Sequence, residues 1–240
     1  MSEKATRQHQ PAYILHSYPY RETSLVIEAF TRDAGRIAMV ARGARRPKSA
    51  LRGVLLAFQP LYLSWFGKSE LRTLHSAEWQ GGQTRLQGLG LMCGFYLNEL
   101  TLRLMARDDP HERLFAHYHA TLERLAVERQ PAAALRVFER DLLRELGYAM
   151  LLDHEAKNGA PIVAELEYIY EIESGPQRAG GSAPPQSRLR GQTLLDLAAG
   201  QFSDAHSLQQ SKALLRMLID HRLAGQALNT RQLLRDLQQL

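Results

Sequence analysis

Between residues 12 and 79 apolar and polar positions alternate in twos; from about residue 84 the apolar positions recur every three or four. The first pattern predicts strands and the second helices. TSLVIEAFT (23–31) and GRIAMVARG (35–43) are short β-branched runs joined through RDAG, which has turn chemistry. In LLAFQPLYLSWFG (55–67), Leu61, Leu63 and Trp65 alternate with Tyr62, Ser64 and Phe66, and Gly67-Lys68-Ser69 turns the chain into ELRTLHSAEW (70–79). With AYILHSYPY (12–20) in front, five strands follow one another with no helical pattern between them. A small antiparallel barrel closes that many short strands without leaving exposed edges.

In the second region Leu97, Leu100 and Leu104 line one face of a helix that ends before RDDP. Asp109, Pro110 and Glu112 have the spacing of a capping box for the next helix, which runs through Leu114, Phe115, Tyr118, Leu122 and Leu125. Pro131 opens a third helix with the stripe Leu135, Phe138, Leu142 and Leu146, and Gly147 stops it. Residues 147–173 read as irregular, with an extended stretch in IVAELEYIYEIE, and SGPQRAGGSAPPQS (174–187) reads as a mobile loop. Helical spacing resumes in SLQQSKALLRMLIDHRLAG and closes with TRQLLRDLQQL, for which Thr230 is the expected cap. The expected class is therefore α+β: a barrel over residues 1–80, then a mainly helical domain over 81–240 with an irregular segment at 147–190.

Charge sharpens the picture because it is unevenly placed. Residues 1–80 hold 12 Lys/Arg against 6 Asp/Glu, net +6, whereas residues 81–240 hold 18 against 19, net −1. Between Asp33 and Glu70 there are seven bases and no acid. This predicts one basic face and an anionic partner. The single cysteine, Cys93, excludes an internal disulfide and a thiolate zinc cluster. No signal-peptide core and no membrane-length apolar run is present, so a cytoplasmic protein is expected.

Few residues suggest catalysis. GKS (67–69) lacks the upstream glycine of a phosphate-binding loop, Tyr62 standing in its place, and leads into a strand. His117 and His119 diverge on a helix, His154 has no sequence-near ligand partner, and Cys93 reads as a small core residue. No enzyme and no cofactor are expected. The basic connection ARGARRPKSALRG (41–53) is the main candidate. Arg36, Arg42, Arg45, Arg46, Lys48 and Arg52 bracket it, with Tyr18, Tyr20, Tyr62, Trp65 and Phe66 on neighbouring strands and turns. Cations displace phosphate counterions and rings stack bases, which is what single-stranded nucleic acid requires. The plain alternative is a solvated loop beside aromatics that fill the barrel. A second basic feature, Arg136, Arg140 and Arg144, forms a stripe on one helical face, either salt-bridged to Glu139, Asp141 and Glu145 or a dock for an acidic peptide or for the DNA backbone.

GRIAMVARGARRPKSALRGVLLAFQPLYLSW, preceded by YRETSLVIEAFT and followed by ELRTLHSAEW, resembles the N-terminal barrel of the bacterial RecO family of recombination-repair mediators. FYLNELTLRLMARDDPHERLFAHYHATLERL, LRVFERDLLRELGY and TRQLLRDL resemble that family's helical domain in the same order. The resemblance implies an OB-fold that binds single- and double-stranded DNA and anneals complementary strands. It further implies work with RecR and single-stranded-DNA-binding protein in loading RecA at gaps. With that family in view the loop is expected to grip phosphates, and the candidate DNA contacts are Arg36, Arg42, Arg45, Arg46, Lys48, Arg52, Tyr62 and Phe66. The acidic, phenylalanine-ended tail of single-stranded-DNA-binding protein needs a basic rim around an apolar pocket, and Arg136 and Arg140 beside Phe138 and Leu142, with Arg144 on the same stripe, are the candidates for it. Many family members carry a four-cysteine zinc site after the ELGY helix; here AMLLDHEAKNGAP holds no cysteine, so no zinc is expected. The alternatives from other classes are an adaptor that docks acidic proteins and an RNA-binding barrel.

Overall fold

The computed structural model describes residues 6–82, 84–181 and 183–237, so the last three residues of the final expected helix lie outside the described residues. The described chain divides into two compact units, Met1–Arg129 with Leu228–Leu240, and Gln130–Ala227. The change of period near residue 80 is thus a change of secondary structure, while compactness groups two helices and the C-terminal segment with the barrel.

Five strands, β1 (Thr6–Tyr20), β2 (Ser24–Thr31), β3 (Gly35–Ala41), β4 (Leu61–Phe66) and β5 (Leu71–Trp79), close in the order β1-β2-β3-β5-β4. All pairs are antiparallel except β3 with β5. Ile14, Ile27, Ala29, Ile37, Met39, Leu61, Leu63 and Trp65 point inward and form one core. Each such side chain contributes about 1.5–3 kcal/mol by leaving water. β1 runs six residues further upstream than alternation alone predicts. Its register shifts between Arg7 and Gln10 and again between Ile14 and His16, and these irregularities bend one strand so that it pairs with both β2 and β4. A short helix, α1 (Leu51–Val54), does interrupt the strands, contrary to the sequence pattern. It is too short to show a period, and Leu51 and Val54 pack on the barrel core.

The outer face of β2, and of β1 around Tyr13, is covered and largely apolar. Helices α2 (Gly88–Leu104) and α3 (Glu112–Val127) supply the cover. Tyr13 and Phe30, both buried, meet Phe115 and Tyr118 at ring-centroid distances of 5.1–5.9 Å. The Tyr118 hydroxyl donates to Asn98 Oδ1 at 2.5 Å, and Asn98 Nδ2 donates to the Leu15 carbonyl at 2.8 Å, so α3, α2 and β1 share one buried polar chain. Burial pushes the Tyr13 and Tyr118 hydroxyls above their ordinary pKa, which keeps both as donors. The β2–β3 turn is fixed against the loop before α3. Gly35 sits at φ +70°, and a Cβ there would lie 2.0 Å from the Asp109 carbonyl oxygen.

Two expected caps are replaced by other contacts. α3 begins at Glu112 with no side-chain cap, because the Asp109 carboxylate is engaged by His111 Nε2 at 3.0 Å. The last helix, α7 (Asn229–Leu237), is capped by Glu99 of α2 rather than by Thr230. The Glu99 carboxylate accepts from the Asn229 and Thr230 amides, both at 2.8 Å, and from the Thr230 hydroxyl at 2.7 Å.

The second unit contains α4 (Ala132–Glu145), a three-stranded sheet ordered β7-β6-β8, α5 (Gly191–Ala199) and α6 (Ala205–Arg222). The strands are β6 (Glu167–Glu171), β7 (Gly175–Arg178) and β8 (Arg188–Arg190). β7 therefore lies within the stretch that sequence reads as a mobile loop. Asp196 on α5 organises the α5–α6 connection. Its Oδ2 accepts from the Ser203 amide (2.9 Å), the Ser203 hydroxyl (2.7 Å) and the Ser207 hydroxyl (2.6 Å), and its Oδ1 accepts from Gln192 Nε2 (2.6 Å). Burial alone would raise this carboxyl, but the four donors outweigh it and its pKa is lowered. A lowered folded-state pKa gives stability that is present above the unfolded value, about 3.9, and lost as pH falls further. In urea unfolding from pH 7 to pH 3, the advantage of the wild type over Asp196→Asn is expected to shrink on acidification. A gap that stays constant with pH would sink this account.

Candidate nucleic-acid interface

The basic connection is held to the barrel by one small residue and a series of turns. Ala44 is buried in the core, and the Arg45 amide donates to the Thr23 carbonyl at 2.9 Å. Arg46, Ser49 and Arg52 amides bond back to the carbonyls of Gly43, Arg46 and Ser49, so the segment climbs through successive turns into α1. Around this frame Arg42, Arg45, Arg46, Lys48 and Arg52 are all exposed. Arg45 Nη1 donates to the Arg21 and Glu22 carbonyls at 3.3 and 3.2 Å, which ties the β1–β2 turn to the basic loop. Among the described residues, Arg42, Arg46, Lys48 and Arg52 form no ion pair with a carboxylate. Unneutralised cations on a pinned backbone attract a polyanion at little ordering cost.

Arg36 does not belong to this group. Its Nε donates to the Met105 carbonyl at 3.0 Å and its Nη1 to Glu28 at 3.1 Å, while Glu28, itself buried, also receives Arg107. The carboxylate in the covered β2 face draws both guanidiniums inward, and the Glu28 hydrogen bond raises the pKa of Arg107. Arg21 is a residue that sequence reasoning missed. It is exposed beside the loop, with its guanidinium carbon 5.2 Å from the Tyr20 ring centre. YRET carries a base in a turn, but the backbone bond joining that turn to Arg45 has no local signature.

Tyr62 and Phe66 do lie on one surface. Leu61, Leu63 and Trp65 are inside, so Tyr62, Ser64 and Phe66 face away from that core; Tyr62 is exposed, Phe66 half-buried and Ser64 buried, its hydroxyl accepting from the His9 amide at 3.3 Å. Trp65 is a core residue and Tyr18 is exposed.

The second basic feature is corrected by burial. Phe138 is fully buried, and Arg136 is 6% exposed, with its Nη2 2.7 Å from Glu139. Arg140 donates to Asp141 at 2.9 Å and to the carbonyls of Leu197 and Ala198 at 2.9 Å, and Arg144 approaches Asp141 at 3.2 Å. Glu139 and Asp141 face the interior, and two buried carboxylates hold the arginines against the helix. Arg140 and Phe138 are thus not a surface rim. A groove of about 440 Å³ does open beside the stripe, between α4 and α6, lined by Ala132, Arg136, Leu208, Lys212 and Arg216 among others.

Where sequence expects no zinc, Leu152 and Ile162 are buried and the Glu155 carboxylate takes Asn158 and Arg178. Among the described residues no group of three or more His, Cys, Asp or Glu side chains is placed to hold a metal, and no helix is long and apolar enough to cross a membrane.

A closed five-stranded barrel of this strand order, with an exposed basic loop between its third and fourth strands, defines an OB-fold protein. Residues 1–82 match the family model of the recombination protein O N-terminal domain, and residues 85–232 match that of its C-terminal domain. The chain is 55% identical over 239 residues to the DNA repair protein RecO of Nitrosospira multiformis, covering 99% of both chains. It is 54% identical over 240 residues to that of Aromatoleum aromaticum, and 51% identical over 243 residues to that of an Azoarcus species, with full coverage of both chains in each case. The chain belongs to the RecO family of DNA repair proteins.

Proposed function

We propose that this chain is a recombination mediator that binds single- and double-stranded DNA, anneals complementary strands and, with RecR and single-stranded-DNA-binding protein, helps load RecA at gaps in the cytoplasm. The observation that carries the reading is the set of exposed cations Arg42, Arg46, Lys48 and Arg52, which lack carboxylate partners among the described residues on a loop pinned by Ala44 and Arg45. Such a surface binds phosphates without regard to sequence. By engaging two strands it reduces their repulsion and raises their local concentration, which is the physical requirement for annealing. For the acidic tail of single-stranded-DNA-binding protein, the groove between α4 and α6 offers the matching chemistry. Lys212 and Arg216 supply exposed cations, the buried Arg136 lies at the groove's edge, and Ala132, Ala205, Leu208 and Ala213 supply an apolar floor.

The test is fluorescence anisotropy of a labelled single-stranded oligonucleotide against salt, for the wild type and for Arg46→Glu/Lys48→Glu/Arg52→Glu. None of these three side chains bonds within the described fold, so the variant is expected to fold. The wild type should bind with log affinity linear in log salt, and the variant should lose affinity and about 2 units of slope, at roughly 0.7 per phosphate contact. Equal affinity and equal slope would remove the loop as the DNA site and favour an adaptor; tighter binding to RNA of the same sequence would favour an RNA-binding barrel.

A further inference from the structure

We propose that the second unit carries a site for a free apolar α-amino acid, in the cavity at the C-terminal ends of α4 and α6. The cavity, about 290 Å³, lies at the small end of ligand sites, which run about 300–1,000 Å³. Two opposite charges line it, Arg222 and Glu173, both exposed at its mouth. They pair neither with each other nor, among the described residues, with any other charged side chain. No residue of the basic loop takes part, so the site goes beyond the DNA reading.

Local structure fixes where each charge stands. α4 stops at Gly147, which takes φ +83°, and the Tyr148 amide then donates back to the Leu143 carbonyl at 2.8 Å. Tyr148 is thereby held beside the last turn of α6, where the Arg222 guanidinium carbon stands 3.8 Å from the ring centre. A guanidinium over a ring keeps the N–H donors of its own plane available for a carboxylate. Glu173 sits in the turn 172–174 between β6 and β7. Gly175 ends that turn at φ +105°, and a Cβ there would lie 3.2 Å from the Leu151 Cβ. The Ala156 amide donates to the Pro176 carbonyl at 2.8 Å, so the turn that presents the acid is pinned on both counts.

Behind the charges the lining is apolar. Leu143 and Leu218 are buried, and Met150 and Ile172 are half-buried. Tyr170, only 8% exposed, adds a polar group to this wall. Its hydroxyl accepts from the Leu151 amide, and burial pushes its pKa up to about 12, so it keeps its proton at neutral pH. Among the described residues no acceptor is paired with that proton. A buried donor without an acceptor is costly, and a ligand oxygen beside it recovers the loss.

An apolar α-amino acid matches all of these groups at once. Its carboxylate takes the Arg222 N–H groups and the Tyr170 hydroxyl, its ammonium takes Glu173, and its side chain fills the apolar part. The C-terminal ends of α4 and α6 add negative potential that favours the ammonium. A polyanion gains little here, because the two charges at the mouth cancel. A simple carboxylic acid leaves Glu173 unmatched, and a simple amine leaves Arg222 unmatched.

The experiment is calorimetric titration of the full chain with L-leucine, L-phenylalanine, glycine, N-acetyl-L-leucine and L-leucinamide. It is repeated for Arg222→Gln, Glu173→Gln and Tyr170→Phe, of which the first two change exposed side chains. Leucine or phenylalanine should bind at one per chain, and glycine, which lacks the apolar body, more weakly. Removing either charge from leucine, or its partner charge from the protein, should cost about ten- to a hundred-fold. Arg222→Gln and Tyr170→Phe should weaken leucine but leave leucinamide unchanged, and Glu173→Gln should leave N-acetyl-L-leucine unchanged, because those ligands already lack the matching group. Three results would each overturn the proposal. N-acetyl-L-leucine binding as tightly as leucine would make this a site for a peptide C-terminus, and leucinamide doing so would make it a site for a peptide N-terminus. Failure of all five to bind would leave the cavity without a ligand of this class.

Discussion

Phe138→Ala is expected to destabilise the second compact unit by about 3–5 kcal/mol, the range for emptying a fully buried phenylalanine site. Phe138 is fully buried on α4, between Ala134 and Leu142 of the same inward stripe. α4 packs against α5 and α6, whose Leu194, Leu197, Leu214, Leu215 and Ile219 are also buried. The ring therefore leaves a cavity between helices that cannot collapse without moving several apolar partners. For a body of about 100 residues each kcal/mol is worth about 4–8 °C, so calorimetry should show a transition lower by 12 °C or more. Below that transition the loop of the first unit should bind oligonucleotides as before. A variant with unchanged melting but a lost protein partner would return Phe138 to the surface role that its position among arginines suggests in sequence.

That reversal shows what the sequence could convey. The period change near residue 80, the inward positions of the barrel strands and the outward direction of Tyr62 all follow from alternation, because burial acts on every second strand residue. Arg136, Arg140 and Arg144 are legible as a stripe but not as a buried one. Whether Glu139 and Asp141 point inward depends on α5 and α6, which are far away in sequence. Arg36 is legible as a base near the loop but not as one already engaged, since Glu28 and the Met105 carbonyl reach it only through the closed barrel and the α2–α3 connection. Short elements escaped as well. α1 spans one turn, α5 spans nine residues, and β7 contains Gly175 and Pro176, which argue locally against a strand; pairing with β6 overrides them. Upstream of Ala12 the residues TRQHQP show no alternation, yet β4 needs a partner there to close the barrel.

The buried ion pair yields the second large effect. Arg136→Ala is expected to cost about 3–5 kcal/mol, because it takes away the guanidinium 2.7 Å from Glu139, a carboxylate only 2% exposed. Most of that loss comes from leaving a charge in a poorly solvated site, not from the strength of the pair itself. Removing both charges should therefore be milder than removing one. Arg136→Leu/Glu139→Leu fills similar volume with apolar groups, and such replacements range from neutral to stabilising. The measurement is urea unfolding of the wild type, each single variant and the double variant, closed as a thermodynamic cycle. A double variant as damaged as Arg136→Ala would mean that the cost lies in lost packing of the arginine stem. A double variant near wild type would show that the pair is retained for something other than stability, and Arg136 lines the groove beside Lys212 and Arg216. Its guanidinium then has two claims on it: the interior carboxylate that fixes its position, and the groove to which that fixed position presents a positive edge.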